Sequence, residues 1–349
     1  MGIPARMTAV QLTGHGDTDR LMVNHDVPVP SLGPGEVLIQ VGASSVNNTD
    51  INTRLGWYTR DESADETSWS GTPMHFPRIQ GADCCGRIVA VGSDTDATRI
   101  GKRVLVRTMQ APEQVDGQLQ QVTLGSEIDG AFAQFVAVRS SEAFDVDSEL
   151  SDVELATFPC AYSTAEGLLQ RAGVGAEQVL ITGASGGVGS ALVQLAVLRG
   201  ASVVAVASER HHEGIMALGA KRVLDRSAEL VTGIGANSVD VVVDVVGGDG
   251  FPHLLQVLRP GGRYATSGAV AGAHVDLDLR DLYLKDLTLY GCTFHPPEVF
   301  SAIIDYLGAG RLQPLVAANY PLERIGEAQA RFLAKDFIGK IAVIPPVLD

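Results

Sequence analysis

The spacing of apolar residues changes character near residue 150. Ahead of that point they fall in short runs bounded by Gly and Pro. Residues 37–41, 87–92, 101–106 and 132–138 each predict a strand, and Pro28, Pro30, Gly33, Pro34 and Gly35 mark turns before the first of them. Two stretches interrupt this pattern: 60–74, polar and acidic, and 109–127, rich in Gln with no apolar period. Both read as long loops, either surface insertions or lids over a site. Beyond 150, short strands at 178–182, 202–206, 240–246, 262–267 and 286–291 alternate with helical patterns at 188–198, 213–218 and 251–258. Strands joined by helices predict a doubly wound parallel sheet. The remainder predicts helices at 299–307 and 325–333 and a last strand at 339–344.

A chain of 349 residues suits two domains. The uncharged stretch 178–198 is long enough to cross a bilayer. Its glycines cluster near the start, at Gly183, Gly186, Gly187 and Gly189, which favours a strand, a turn and a helix. The mixed N-terminus predicts no signal peptide. A net charge of -15 disfavours nucleic acid and anionic membranes as partners. The four cysteines, Cys84, Cys85, Cys160 and Cys292, form no C-x-x-C pair, so a reducing cytoplasm is expected.

Candidate chemistry begins at Gly183-Ala184-Ser185-Gly186-Gly187-Val188-Gly189, between a predicted strand and helix. Small residues there let the backbone approach a pyrophosphate, and the helix start offers N–H groups and a positive dipole end. In the G-x-G-x-x-G frame, Ala184 takes the first position. The end of the next strand selects the cofactor: an acidic residue there would accept from a ribose 2′-hydroxyl. Ala207 and Ser208 occupy that place. Ser208 and Arg210 suit a 2′-phosphate, hence NADP(H), whereas an inward Glu209 would favour NAD(H). His211, His212 and His295 read most simply as surface histidines, with His295 alternatively facing the site.

Several motifs in order resemble the medium-chain dehydrogenase/reductase superfamily: the Pro/Gly start, 81–92, 130–138, the 183–189 turn, Arg259-Pro260-Gly261-Gly262 and the closing Gly339-Lys340-Ile341. The resemblance implies an α/β protein: a Rossmann doubly wound parallel sheet plus a GroES-like, partly open β-barrel catalytic domain. Bounds of 1–139 with 299–349 for the catalytic domain and 140–298 for the Rossmann domain are expected. A homodimer or homotetramer is implied too, and 286–291 near the sheet edge is a place where a sheet could continue across a dimer.

Zinc alcohol dehydrogenases carry Cys-x-Thr-Asp-x-His, where this chain has Asn47-Asn48-Thr49-Asp50-Ile51-Asn52, and Gly-His-Glu, where it has Gly81-Ala82-Asp83. Cys160 alone keeps a ligand position. The four-cysteine structural zinc loop has no counterpart. One thiolate and a carboxylate make a poor Zn²⁺ site, so no zinc is expected. The remainder is similar to the zinc-free quinone oxidoreductase and enoyl thioester reductase branch. That branch implies that Asn47 touches the nicotinamide or the substrate oxygen and that Tyr58 is the catalytic tyrosine. Asn47 as a turn cap and Tyr58 as an aromatic at a loop base are the simpler readings. Trp57 and Trp69 could wall a ring-shaped substrate. The function implied is hydride transfer from NADP(H) to a quinone or α,β-unsaturated carbonyl. An alcohol or aldehyde dehydrogenase and a catalytically silent NADPH-binding protein stand as alternatives.

Overall fold

The structure, a computed structural model, describes residues 2–59, 74–115 and 118–348. The chain divides into two compact units: Met1–Cys160 with Pro296–Asp336 and Lys340–Asp349, and Ala161–His295 with Phe337–Gly339. The first break falls about twenty residues beyond the sequence-expected 139/140. The reason is pairing: Ala143–Asp145 runs antiparallel to Arg103–Val106, with Ala143 opposite Val106, which ties 140–160 to the first unit.

In the first unit, the strand Glu36–Ser45 is central. It pairs antiparallel with Cys85–Val91, with Phe135–Arg139 and with Lys340–Ile344. Val37, Ile39 and Val41 project from it into a buried cluster with Ile88, Val104, Val106, Leu124, Val136 and Val138. Full burial of each such side chain is worth roughly 1.5–3 kcal/mol. Among the described residues the strand order leaves open sheets and no closed barrel: a seven-stranded sheet, a three-stranded sheet and a two-stranded hairpin. Gly86 is obligatory at the tightest crossing, because a Cβ there would lie 2.2 Å from the Gln40 carbonyl oxygen.

Two expectations change here. The stretch 109–127 is largely an antiparallel hairpin, Met109–Val115 against Gln118–Thr123, whose cross-strand pairing the missing apolar period concealed. The strand expected at 132–138 begins later, at Phe135. The expected loop 60–74 lies outside the described residues apart from Met74, which is buried, and Trp69 lies outside them as well.

The second unit holds six parallel strands in the spatial order Arg222–Asp225, Ser202–Ala207, Gln178–Ile181, Val239–Asp244, Leu258–Thr266 and Thr288–Gly291. This is the doubly wound order, which reverses between Gln178–Ile181 and Val239–Asp244. The uncharged stretch 178–198 is the strand Gln178–Ile181, a glycine turn and the helix Gly187–Leu198. Among the described residues no helix is long and apolar enough to cross a membrane.

A buried ion pair fastens the base of the hairpin. Arg107 and Glu142 are each 2% exposed, and Glu142 accepts from Arg107 Nε at 2.7 Å, from Arg107 Nη2 at 3.0 Å and from the Ala111 amide at 2.9 Å. Neutralising Glu142 breaks this buried pair and its charge-assisted bonds, a loss of about 3–5 kcal/mol. Glu142→Gln should therefore lower the stability of the first unit by an amount of that order. Trp57 and Trp69 both belong to that unit's sequence, so tryptophan fluorescence during urea unfolding reads it. An unchanged midpoint would show that the pair is dispensable.

Candidate active site

The glycine turn is built by close backbone approach. Gly183 sits at φ +60°, which an L side chain rarely adopts. A Cβ on Gly189 would lie 2.1 Å from the Gly183 carbonyl oxygen. The Ala184 amide donates to Val206 at 3.1 Å, so the turn is fastened to the neighbouring strand, and Ala184 itself is fully buried. Gly186 is exposed at the head of the helix Gly187–Leu198, and that helix carries no acidic residue in its first turn. Its leading N–H groups and dipole therefore form a ready anion cradle, with Gly187 and Val188 half-buried beside it.

A polar network that the sequence analysis missed holds the facing loop. Asp244 is fully buried and accepts from Thr182 Oγ1 at 2.5 Å, from Tyr264 Oη at 2.5 Å and from the Val246 amide at 2.9 Å. Burial, followed by the adjoining Asp244 carboxylate, raises the Tyr264 pKa, so its hydroxyl stays a donor. The network joins the two strand ends that flank the point where strand order reverses. That is where open α/β sheets bind ligands.

Ser208 follows the strand Ser202–Ala207, and Arg210 is exposed in the short turn Glu209–His211. The side chain of Glu209 is exposed, while its amide donates to Asp225 Oδ2 at 3.0 Å. The adjacent strand Arg222–Asp225 thus also brings a carboxylate, Asp225, to this strand end. Two histidine expectations are corrected: His211 and His295 are 6% and 4% exposed. His295 closes on the helix Pro159–Arg171, where a Cβ on Gly167 would meet its Nδ1 at 2.2 Å. His212 is half-buried, with Nε2 3.2 Å from the Ala207 carbonyl oxygen.

The remaining candidates gather in the first unit, at the end of the strand Glu36–Ser45. On one side Ala43 pairs with Cys85, and extending that register sets Asp83 beside Ser45. On the other side Ala342 pairs with Ser45, and extending that register sets Lys340 beside Asn47. Asp83 is fully buried. Its Oδ1 accepts from the Cys160 amide at 2.7 Å. Its Oδ2 accepts from Asn47 Nδ2 at 2.7 Å, from Lys340 Nζ at 3.0 Å and from Ser45 Oγ. Asn47 is 6% exposed; its Nδ2 also donates to the Ser45 carbonyl at 3.3 Å, and its Oδ1 accepts from Lys340 Nζ. Both amide hydrogens of Asn47 are thus engaged inside the protein. The Asn47 position also starts the helix Asn48–Leu55, where its backbone amide donates to Asp50 Oδ2 at 2.8 Å.

Asp50 accepts the Gly81 and Ala82 amides as well, each at 3.2 Å, and so ties that helix start to the loop bearing Asp83. Burial lifts its pKa to about 7, with Asp83 adding repulsion, against the pull of the amides and Lys340. Tyr58 follows the same helix and is half-buried, with its hydroxyl 3.4 Å from Thr49 Oγ1. Burial raises its pKa, which keeps the phenol protonated and able to donate. Trp57 next to it is 52% exposed. Cys160 is half-buried. Asp83 and Lys340 escaped the list of candidate residues; the signal available was a charge at the end of an apolar strand, as in Gly339-Lys340-Ile341-Ala342-Val343-Ile344.

Residues 33–148 match the alcohol dehydrogenase GroES-like domain, and residues 187–308 match the zinc-binding dehydrogenase family. A solved structure from Sinorhizobium meliloti 1021, described provisionally as an alcohol dehydrogenase, shares 43% identity over 99% of this chain and 98% of its own, with a TM-score of 0.91. The chain belongs to the medium-chain dehydrogenase/reductase superfamily. An acryloyl-coenzyme A reductase of Sulfurisphaera tokodaii is 28% identical over 92% of this chain and 95% of its own. The 2-octenoyl-CoA carboxylase reductase CinF, solved with NADP and 2-octenoyl-CoA, is 26% identical over 99% of this chain and 88% of its own, with a TM-score of 0.85. Relatives of similar likeness include quinone oxidoreductases, the Homo sapiens protein among them at 26% identity over 94% of each chain. The protein is thus an oxidoreductase of this superfamily, with a fold that binds a nicotinamide cofactor.

The turn geometry gives a direct expectation. Gly189→Ala forces its new methyl onto the Gly183 carbonyl, so nicotinamide cofactor affinity should fall at least about ten-fold, or about 1.4 kcal/mol. Calorimetric titration measures it; undiminished affinity would remove the turn from the binding site.

Proposed function

We propose that the protein is an NADP(H)-dependent reductase that delivers hydride, without catalytic zinc, to a quinone or an α,β-unsaturated carbonyl. The observation that carries this reading is the Asp83 cluster. At the positions where zinc alcohol dehydrogenases hold their metal, this chain offers Asn47, Ala82 and Cys160, and the ammonium of Lys340 already sits against Asp83 and Asn47. Among the described residues no group of three or more His, Cys, Asp or Glu is arranged to hold a metal ion. These residues do not fit a Zn²⁺ site. Acceptors that are already electrophilic need none, because hydride adds at carbon while charge builds on a carbonyl oxygen that hydrogen bonds can stabilise.

The bound nicotinamide supplies the hydride. The turn Gly183–Gly189 and the helix start behind it bind the pyrophosphate, and Ser208 and Arg210 take the 2′-phosphate. Tyr58 donates to the developing oxyanion and is the first candidate for the proton. Asn47, whose amide is engaged with Asp83, Ser45 and Lys340, acts as a positioning residue. The acyl thioester named for two of the relatives supports the enoyl branch of this reading, and CinF supports NADP. An alcohol dehydrogenase is the second reading, favoured by the description attached to the 43% identical structure. A homodimer or homotetramer is part of this reading, supported by the edge strand Thr288–Gly291 and the exposed Leu279, Tyr283 and Leu284 shortly before it in sequence.

Consumption of NADPH with a quinone and with an enone tests the reading. Turnover with either acceptor and none with simple alcohols is expected; binding without turnover would leave a silent NADPH-binding protein. Arg210→Ala should weaken NADPH about 10–100-fold, as for a lost charge-assisted hydrogen bond, and leave NADH nearly unchanged. An unaltered NADPH/NADH ratio would reject the 2′-phosphate assignment. Tyr58→Phe should cut enone turnover by about 10²-fold or more while cofactor affinity holds. Full turnover in that variant would exclude Tyr58 as the donor.

A further inference from the structure

We infer that Lys340 is the built-in cation of the Asp83 site, and that it acts as a positioning residue for the helix bearing Asn47 and Tyr58. The inference rests on the metal-free reading above. A fully buried carboxylate must be balanced by charge or by a proton. Here Asp83 Oδ2 accepts the Lys340 ammonium at 3.0 Å, with the lysine side chain 3% and the aspartate 0% exposed. Cys160, Asn47 and Ser45 supply further hydrogen bonds to the carboxylate, one to Oδ1 and two to Oδ2. An ammonium gives this carboxylate one charge and up to three directed donors, but no open coordination position. A divalent ion bound to the same Oδ2 would sit within about 5 Å of that ammonium, where like charges repel. The ammonium therefore disfavours a metal ion at that oxygen.

The ammonium also does something a lone counter-charge would not. By donating to Asn47 Oδ1 it orients the amide so that both Nδ2 hydrogens point inward, to Asp83 and to the Ser45 carbonyl. Asn47 in turn donates its backbone amide to Asp50, which is itself tied to Gly81 and Ala82. The start of the helix Asn48–Leu55, and with it the approach to Tyr58, is thereby referred to the strand end that carries Lys340. The neighbouring Lys335, whose Nζ donates to Asn48 Oδ1 at 3.2 Å, is exposed and does not substitute for Lys340 inside the cluster.

Chemical rescue tests this. Lys340→Ala should lower turnover at least about ten-fold, and n-propylammonium should restore it in a saturable way. The rescue should appear in kcat with KM for NADPH unchanged, and n-propanol should not reproduce it. Where Lys340→Ala does not fold, the pair Asp83→Asn and Lys340→Met/Asp83→Asn decides. The double variant should melt higher than Asp83→Asn alone, because it no longer buries an unpaired ammonium. Absence of rescue in a folded Lys340→Ala, or a double variant that melts no higher than the single one, would overturn the assignment of Lys340. One equivalent of zinc in the wild-type protein would instead overturn the metal-free reading on which it rests.

Discussion

Asp83 carries a negative charge with no access to water, and the arrangement of the first unit answers that constraint. A buried carboxylate costs several kcal/mol unless it is paired and hydrogen-bonded. Four groups from three parts of the chain converge to meet the cost: Ser45, Asn47, the Cys160 amide and Lys340. They can do so because the strand Glu36–Ser45 has Cys85–Val91 on one side and Lys340–Ile344 on the other, in registers that bring Asp83 and Lys340 to the same strand end. Position 340 lies far from position 83 in sequence, so the pair also closes a long loop between the N-terminal and C-terminal parts of the first unit. Fold and candidate chemistry depend here on the same charge pair.

The second unit solves a different problem, that of bringing backbone within reach of an anion. Gly183 and Gly189 remove the side chains that would separate the turn from the helix, and Asp244 ties the facing loop to Thr182 and Tyr264. Each unit thus contributes one fixed element: a cradle of N–H groups in the second and a charge-balanced polar cluster in the first. The proposed reductase uses the cradle to hold the cofactor and the cluster to hold the helix before Tyr58.

Much of the second unit was legible in the sequence because parallel strands buried on both faces read as short apolar runs between glycine-rich turns. The strands at 178–182 and 202–206 and the helix at 188–198 appear within one or two residues of their expected limits. The first unit was harder to read. Its hairpin Met109–Val115 with Gln118–Thr123 is held by backbone pairing, which leaves no apolar period. The strand Arg6–Leu12 buries Met7, Ala9, Val10 and Leu12, but short mixed residues blur its alternation. The helix Pro159–Arg171 did carry a helical signal, with Ala161, Ala165, Leu168 and Ala172 buried at spacings of three and four, and it was overlooked. At the site, the motif Asn47–Asp50 stood out in the sequence, whereas its partners Asp83 and Lys340 are brought there by strand register, which local sequence does not encode.

The measurement that bears most directly on the account is turnover before and after exhaustive dialysis against a strong chelator, with metal per chain counted in both samples. A zinc-free reductase will drive NADPH-dependent reduction of an enone or quinone at the same rate in both samples, with far less than one zinc per chain. One zinc per chain, together with activity that is lost on chelation and regained on adding zinc, would contradict the zinc-free reading.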